Sequence, residues 1–276
     1  MVLSAEVVSA LEGVRAGDGL VVFLTGAGIS AESGIPTFRG AEGYWTVGSA
    51  EYRPADLATA EAFGRDPRLV WSWYLYRLGV CRAAEPNPAH RALARLEQRL
   101  GERFLLVSQN VDGLHRRAGN RPERTLLIHG DLESMRCAGD CSAEVWPLPA
   151  AVGPVARGGV VDDAGLAALR CLRCGGPARP HVLWFDEYYD ELRYRWQSSL
   201  RAAERAGLLC VVGSSGATNL PVRMVEAATA AGAVVIDVNP AGDGFAAAGA
   251  AGPDRWLRVE ERAGVAVPAI VEVLIG

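Results

Sequence analysis

Short apolar runs recur along the chain, each followed by glycine or a polar residue. They are Gly19–Thr25, Phe104–Val107, Thr125–Ile128, Leu208–Val212 and Ala233–Val238. None alternates apolar with polar residues as a half-exposed strand would, so each reads as a strand buried on both faces. Between them the apolar period lengthens. His90–Leu100 places Leu93, Leu96 and Leu100 on one side of a helix, and Leu192–Ala206 and Pro221–Ala231 read as two more. Strand, helix, strand repetition predicts a mostly parallel sheet covered on both faces.

Two stretches break that rhythm. Residues 41–80 are aromatic and partly helical, with Trp45, Trp71, Trp73, Tyr74 and Tyr76. Residues 131–179 hold four paired cysteines around a loop-like stretch, Ala150–Ala164, that is rich in Gly, Ala, Val and Pro. The expected architecture is therefore α/β. Residues 1–40, 81–130 and 180–276 form a discontinuous Rossmann-like domain, and 41–80 with 131–179 form a small composite lobe.

Composition agrees with a folded enzyme. Half of the 276 residues are hydrophobic, 22% are charged, and 32 glycines accompany 15 prolines. The apolar runs are too short to span a bilayer, so no membrane association is expected. The N-terminal stretch lacks the basic and apolar regions of a secretion signal, which makes the cytoplasm the expected location. A net charge of −4 gives no electrostatic reason to bind nucleic acid.

The six cysteines are unevenly placed. Cys137-x3-Cys141 and Cys171-x2-Cys174 are separated by 29 residues, whereas Cys81 and Cys210 lie alone in apolar surroundings. Two thiolate pairs brought together by a long loop suit a tetrahedral S4 zinc site. With all four positions filled by cysteine, the metal has no open position for water and would be structural.

Chemistry-bearing residues cluster after the apolar runs. Thr25-Gly26-Ala27-Gly28-Ile29-Ser30 follows the first strand as a phosphate-facing turn would, although the full GxGxxG fingerprint is absent and Gly-Ala-Gly also serves as a plain tight turn. Glu32 to Gly40 combines Pro36, Phe38 and Arg39 in a segment suited to covering a ligand, with Arg39 able to pair with Glu32 or with a phosphate. Gly213-Ser214-Ser215 and Asn239 follow two later strands, where open parallel sheets bind ligands.

Gln109-Asn110-Val111-Asp112 and His129-Gly130 follow two others. A neutral His129 could take a proton from a ribose hydroxyl, and Asn110 could orient a substrate oxygen or water. His90 opens a helix and His115 lies in an Arg-rich loop, so both read as packing or surface residues. His181 begins a segment, Val182 to Glu187, whose backbone could pair with an extended peptide.

Taken together, these blocks resemble the sirtuin family: Gly26–Ser30, Ser33–Arg39, Gln109–Asp112, His129-Gly130 and the two cysteine pairs stand in the family order over about residues 20–268. The resemblance implies an NAD-dependent lysine deacylase acting on acylated-lysine proteins or peptides. In that chemistry the acyl oxygen attacks the ribose carbon bonded to nicotinamide. His129 activates the ribose hydroxyl that attacks the resulting imidate, and nicotinamide, free lysine and O-acyl-ADP-ribose leave.

By the same resemblance, Gly26, Ala27, Gly28, Ile29, Glu32, Phe38, Arg39, Gln109, Asn110, Asp112, Gly213, Ser214, Ser215 and Asn239 contact NAD, and Val182 and Phe185 meet the substrate. Tyr74-x-x-Arg77 is similar to the pattern of sirtuins that remove succinyl, malonyl or glutaryl groups, with Ala41 leaving room for the acyl chain. A plain deacetylase, an ADP-ribosyltransferase or NAD glycohydrolase, and a non-enzymatic NAD sensor are the alternatives. Two departures stand out: Asp186 where the family usually has glycine, and an altered Gly213–Pro221 block. Both are expected to bear on the peptide.

Overall fold

The computed structural model describes residues 3–36, 45–47, 50–240, 245 and 256–276, with backbone alone at 45–47, 50–52 and 54. The chain runs α1 (Ala5–Ala16), β1 (Leu20–Thr25), a 3-10 segment (Ala27–Ser33), β2 (Trp45–Val47), β3 (Ala50–Tyr52), α2 (Pro54–Leu57), α3 (Ala60–Arg65) and α4 (Pro67–Ala83). It continues through α5 (Pro88–Leu100), β4 (Phe104–Ser108), α6 (Leu114–Ala118), β5 (Thr125–Leu127), β6 (Gly130–Cys137), β7 (Val145–Pro147), α7 (Asp163–Ala168) and β8 (Ala178–Val182). Last come α8 (Glu191–Tyr194), α9 (Trp196–Glu204), β9 (Ala206–Val212), α10 (Asn219–Ala230), β10 (Val234–Val238), β11 (Trp256–Val259) and α11 (Ala263–Ile275).

The apolar runs form the Rossmann-like parallel sheet, in the order β11-β10-β9-β1-β4-β5. Alternate residues along each strand face opposite ways. Val21, Phe23, Phe104, Leu106 and Cys210 pack under α1, α5 and α11, whereas Val22, Leu24, Val107, Leu209 and Val211 pack under α9 and α10. Burial on both faces is why the strands read as unbroken apolar runs. A third cluster joins Trp71, Leu75 and Leu78 of α4 to Leu132, Met135, Ala178 and Trp184, beside an antiparallel sheet β7-β6-β8.

Two features set the position of the site. The register is level: Thr25 pairs with Ser108 and with Val212, Ser108 with Leu127, and Val212 with Val238. Residues 26–28, 109–112, 129, 213–215 and 239 therefore emerge at one edge. The chain also reverses its winding direction between β1 and β9, and ligands of open parallel sheets bind at that switch point, outside the carboxyl ends of the strands.

One expected helix is corrected. Leu192–Ala206 is two helices, because Arg195 adopts a left-handed conformation with φ 57° between α8 and α9, and Ala206 opens β9. The Asp190 side chain caps α8 by accepting from Arg193 N at 2.6 Å, and the Asp190 carbonyl then receives Trp196 N at 3.2 Å. Helix α5 begins two residues before the expected start, with Asn87 as N-cap, Pro88 in the first turn, and His90 completing a capping box.

Candidate active site

At the switch point two loops cross in contact. A Cβ on Gly26 would sit 2.7 Å from Gly213 O, and one on Gly28 would sit 2.7 Å from Gly213 Cα. Gly213 itself is held at φ 60°. These glycines are thus required by the crossing of the two strand ends, whatever ligand approaches them. Gln109 ties the crossing together: its amide donates to Ser214 Oγ at 2.8 Å and accepts from Thr218 Oγ1 at 3.2 Å. Asn239 donates to Ser214 O at 3.2 Å, while Ser215 is exposed at the rim. Glu32 is turned outward, its carboxylate accepting from Gly264 N at 2.7 Å in the first turn of α11.

Beside this crossing lies a small cleft whose lining includes Ala27, Ser30, Arg77, Asn110 and Asp112. Its floor is a hydrogen-bonded set. Asn110 donates to Gly26 O at 3.0 Å and to Ser30 Oγ at 3.1 Å, and the Ser30 hydroxyl donates to Asp112 Oδ2 at 2.7 Å. The other Asp112 oxygen accepts from Leu114 N at 2.8 Å. Both side chains are therefore preset in orientation without a ligand. The His90 and His115 rings lie below, centred 4.7 Å apart and tilted by 58°, with His115 bonded to Thr25 Oγ1 at 3.0 Å. Burial and, for His90, the nearby His115 push both well below the ordinary histidine range, to about 3.

His129 sits between β5 and β6 at the same edge. Its Nδ1 lies 2.9 Å from the Gln109 carbonyl, which can only accept, so the proton is on Nδ1 and the lone pair on Nε2. Burial pushes its pKa down to about 4, with the Gln109 carbonyl opposing. The imidazole is neutral at physiological pH and has its acceptor on Nε2, as a base requires. That Nε2 is 2.7 Å from the hydroxyl of Tyr189, a residue that the sequence pattern did not single out. Gly130 follows at φ 81°, where a Cβ would meet the His181 carbonyl at 1.9 Å, so this glycine lets β6 pass β8.

The peptide-facing candidates lie on and after β8. Val182 pairs with Gly130, and its carbonyl accepts from Arg179 Nη2 at 2.9 Å. Phe185 is 63% exposed. Asp186, the departure from the family pattern, accepts from Ala60 N at 2.9 Å and Glu61 N at 3.2 Å at the start of α3. With Phe185 N on Ala58 O at 3.0 Å, it fastens this segment to the helical elements. Beneath it Glu187 binds Arg136 and Arg179, both nearly inaccessible, and accepts from Trp184 N at 2.9 Å. Trp184 in turn donates its indole N–H to the Tyr74 hydroxyl at 2.9 Å. Tyr74 is buried, whereas Arg77, one turn on, lines the cleft with its guanidinium 5.4 Å from the Trp73 ring. Phe38, Arg39 and Ala41 lie outside the described residues.

The four paired cysteines converge. Cys137 and Cys174 sulfurs are 3.7 Å apart, Cys141 and Cys171 are 3.4 Å apart, and all four lie within 4.8 Å of one another. Tetrahedral zinc with Zn–S near 2.3 Å needs sulfurs about 3.8 Å apart, so the set is sized to hold one such ion.

Residues 26–219 match the model of the Sir2 family. Among curated proteins, an NAD-dependent protein deacylase of Aeropyrum pernix is 43% identical over 228 residues, covering 82% of this chain and 83% of that one. Among solved structures, a Sir2 homologue bound to 2'-O-acetyl ADP-ribose is 31% identical with TM-score 0.78, covering 99% and 96% of the two chains. A Sir2 homologue–NAD complex is 32% identical with TM-score 0.74, covering 96% and 93%.

Proposed function

The chain belongs to the Sir2 family and is an NAD-dependent protein-lysine deacylase, and on that premise we propose that it acts by preference on lysines carrying acidic acyl groups such as succinyl, malonyl or glutaryl. The observation that carries the preference is the position of Arg77 on the wall of the cleft that also holds Asn110 and Asp112. A guanidinium there can take the distal carboxylate of an acyl chain bidentately. Tyr74 is buried and accepts the Trp184 indole N–H at 2.9 Å, and in this reading its own proton is the second donor to that carboxylate.

The chain's residues suit NAD by their chemistry. The crevice at the switch point presents Gln109, Ser214 and Asn239, and the adjoining floor presents a carboxylate at Asp112 and an amide at Asn110. NAD would supply a ribose carbon bonded to a cationic pyridinium ring, which departs with the bonding electron pair as neutral nicotinamide. Asp112, fixed by Ser30 and Leu114 N, orients the nicotinamide carboxamide through its oxygens. Asn110, its amide N–H groups held by Gly26 O and Ser30 Oγ, keeps Oδ1 as an acceptor that orients a ribose hydroxyl or a water. His129 accepts the proton of a ribose hydroxyl on Nε2, and the Gln109 carbonyl holds the Nδ1 proton and stabilises the imidazolium. Val182 and Phe185 lie along the acyl-lysine path, and the cytoplasm is the proposed setting. The cysteine cluster is proposed as a structural zinc site, because a complete S4 set leaves no position for substrate.

The test is mass spectrometry of matched acetyl-, malonyl-, succinyl- and glutaryl-lysine peptides incubated with and without NAD. Faster NAD-dependent loss of the acidic groups, with formation of O-acyl-ADP-ribose, is expected. Faster acetyl removal would make the protein a plain deacetylase, and NAD consumption without peptide turnover would point to an ADP-ribosyltransferase or glycohydrolase.

A further inference from the structure

The base proposed above is already occupied by a neighbour. The Gln109 carbonyl forces the His129 proton onto Nδ1, so the 2.7 Å contact at Nε2 has one reading: the Tyr189 hydroxyl donates into the lone pair that the reaction uses. This contact is built rather than incidental. The Tyr189 ring is centred 5.6 Å from Trp196 and 5.8 Å from the His129 ring, wedging it between α9 and the imidazole. Its neighbour Tyr188, by contrast, is 91% exposed. Tyr189 is followed directly by Asp190, whose side chain caps α8, so the backbone here is anchored.

A second hydroxyl lies close to it. Thr218 Oγ1 donates its proton to Gln109 Oε1 at 3.2 Å, keeps its acceptor lone pairs, and is near enough to the Tyr189 hydroxyl to favour the ionised phenol. The phenol thus stands between the imidazole and the loop that follows β9, at the mouth of the dinucleotide crevice.

We infer that Tyr189 is a positioning residue whose hydroxyl stands in for the ribose hydroxyl of NAD: it holds the Nε2 lone pair of His129 until cofactor binding exchanges one hydroxyl for the other. This rests on the assignment of His129 as the base. Thr218 is the side chain that keeps the displaced phenol hydrogen-bonded. The arrangement keeps the imidazole neutral and aimed at the crevice in the free protein, since a hydrogen bond donated to Nε2 stabilises the unprotonated ring. Among the described residues no charged side chain contributes to the basicity of His129, which is lowered by burial against the opposing Gln109 carbonyl. The phenol is the polar group to change.

Tyr189→Phe keeps the ring and removes the hydroxyl. In the NAD-free protein, side-chain nitrogen NMR should show the Nδ1–H tautomer of His129 in both forms, with its titration moved to higher pH in the variant. Calorimetric titration with NAD should show binding about two- to tenfold tighter, the worth of one neutral hydrogen bond no longer displaced. KM for NAD should fall with kcat within about twofold. NAD affinity that is unchanged or weaker in a folded variant overturns the inference while leaving the role of His129 intact. Failure of the unsubstituted protein to bind NAD overturns both that reading and this one, and is recognised without the variant. Tyr189→Met, which fills the same space without a hydroxyl, makes the same comparison should the phenylalanine variant misfold.

Discussion

Glu187→Gln removes a charge from between two guanidiniums that have almost no access to water. In the folded chain Glu187 binds Arg136 at 3.1 Å, binds Arg179 through both oxygens, and receives Trp184 N at 2.9 Å. After the change Arg136 keeps Asp140, but Arg179 keeps only neutral acceptors, the introduced amide's carbonyl and the Val182 carbonyl, together with the face of Trp184, whose ring centre is 3.2 Å from its guanidinium carbon. A cation left inside without its counter-charge costs about 3 kcal/mol or more. For a chain of this size that corresponds to a fall of roughly 6–12 °C in melting temperature. The loss should depend on pH. Burial works against ionisation of Glu187, but the hydrogen bond and charge of Arg179, the Trp184 N–H and Arg136 outweigh it and hold the carboxyl below its usual range. A depressed carboxylate stabilises the fold above its unfolded pKa of about 4.3 and ceases to do so as pH falls through the folded value. Urea unfolding of both proteins at pH 7 and near pH 4 measures the difference, which should shrink in acid. A loss under about 1 kcal/mol at pH 7 would mean that water reaches Arg179, and would refute the reasoning. Because Glu187 also anchors Trp184 in the segment proposed to meet the peptide, KM for peptide should rise in the variant.

Three further outcomes follow from the same geometry. Arg77→Met should lower kcat/KM for succinyl-lysine peptide by about ten- to 150-fold, the worth of a charge-assisted hydrogen bond, while acetyl removal changes much less; equal losses would remove Arg77 from the acyl pocket. Stripping metal from the cysteine cluster should release one zinc per chain and loosen β6–β8, read as lost hydrogen-exchange protection there, and a metal-free protein with unchanged protection would defeat the structural role. His90, His115, His129 and His181 all have pKa values lowered by burial, to about 3, 3, 4 and 4. The unfolded chain therefore binds more protons between about pH 6.5 and pH 4, and each histidine should remove up to about 1.4 kcal/mol of stability per unit of falling pH in that window. Urea unfolding at pH 7, 6 and 5 reads this directly, and a flat profile would contradict their burial as neutral rings.

The parts legible in the chain are those encoded over a few consecutive residues. Burial of β1, β4, β9 and β10 on both faces is written as unbroken apolar runs, and the cysteine spacing carries the S4 set. The polar blocks after the runs converge because parallel strands in level register bring their ends to one edge. What stayed hidden depends on partners far apart. Tyr189 meets His129 across 60 residues, and Glu187 meets Arg136 across 51. Neither pairing leaves a periodicity in the sequence, and Glu187 and Arg179 read locally as ordinary surface charges. The helix expected over Leu192–Ala206 has continuous helical composition, and only the left-handed turn at Arg195 shows where it divides. Glycines 26 and 28 were legible as a tight turn, but their cause is the backbone of Gly213, nearly two hundred positions away. Sequence by itself thus determined the family, the sheet and which residues reach its carboxyl edge, since local patterning and short motifs report burial and covalent spacing. Tertiary structure alone decided which lone pair, carboxylate and cation each of those residues faces, because hydrogen bonds and desolvated charges depend on distances that no stretch of chain encodes.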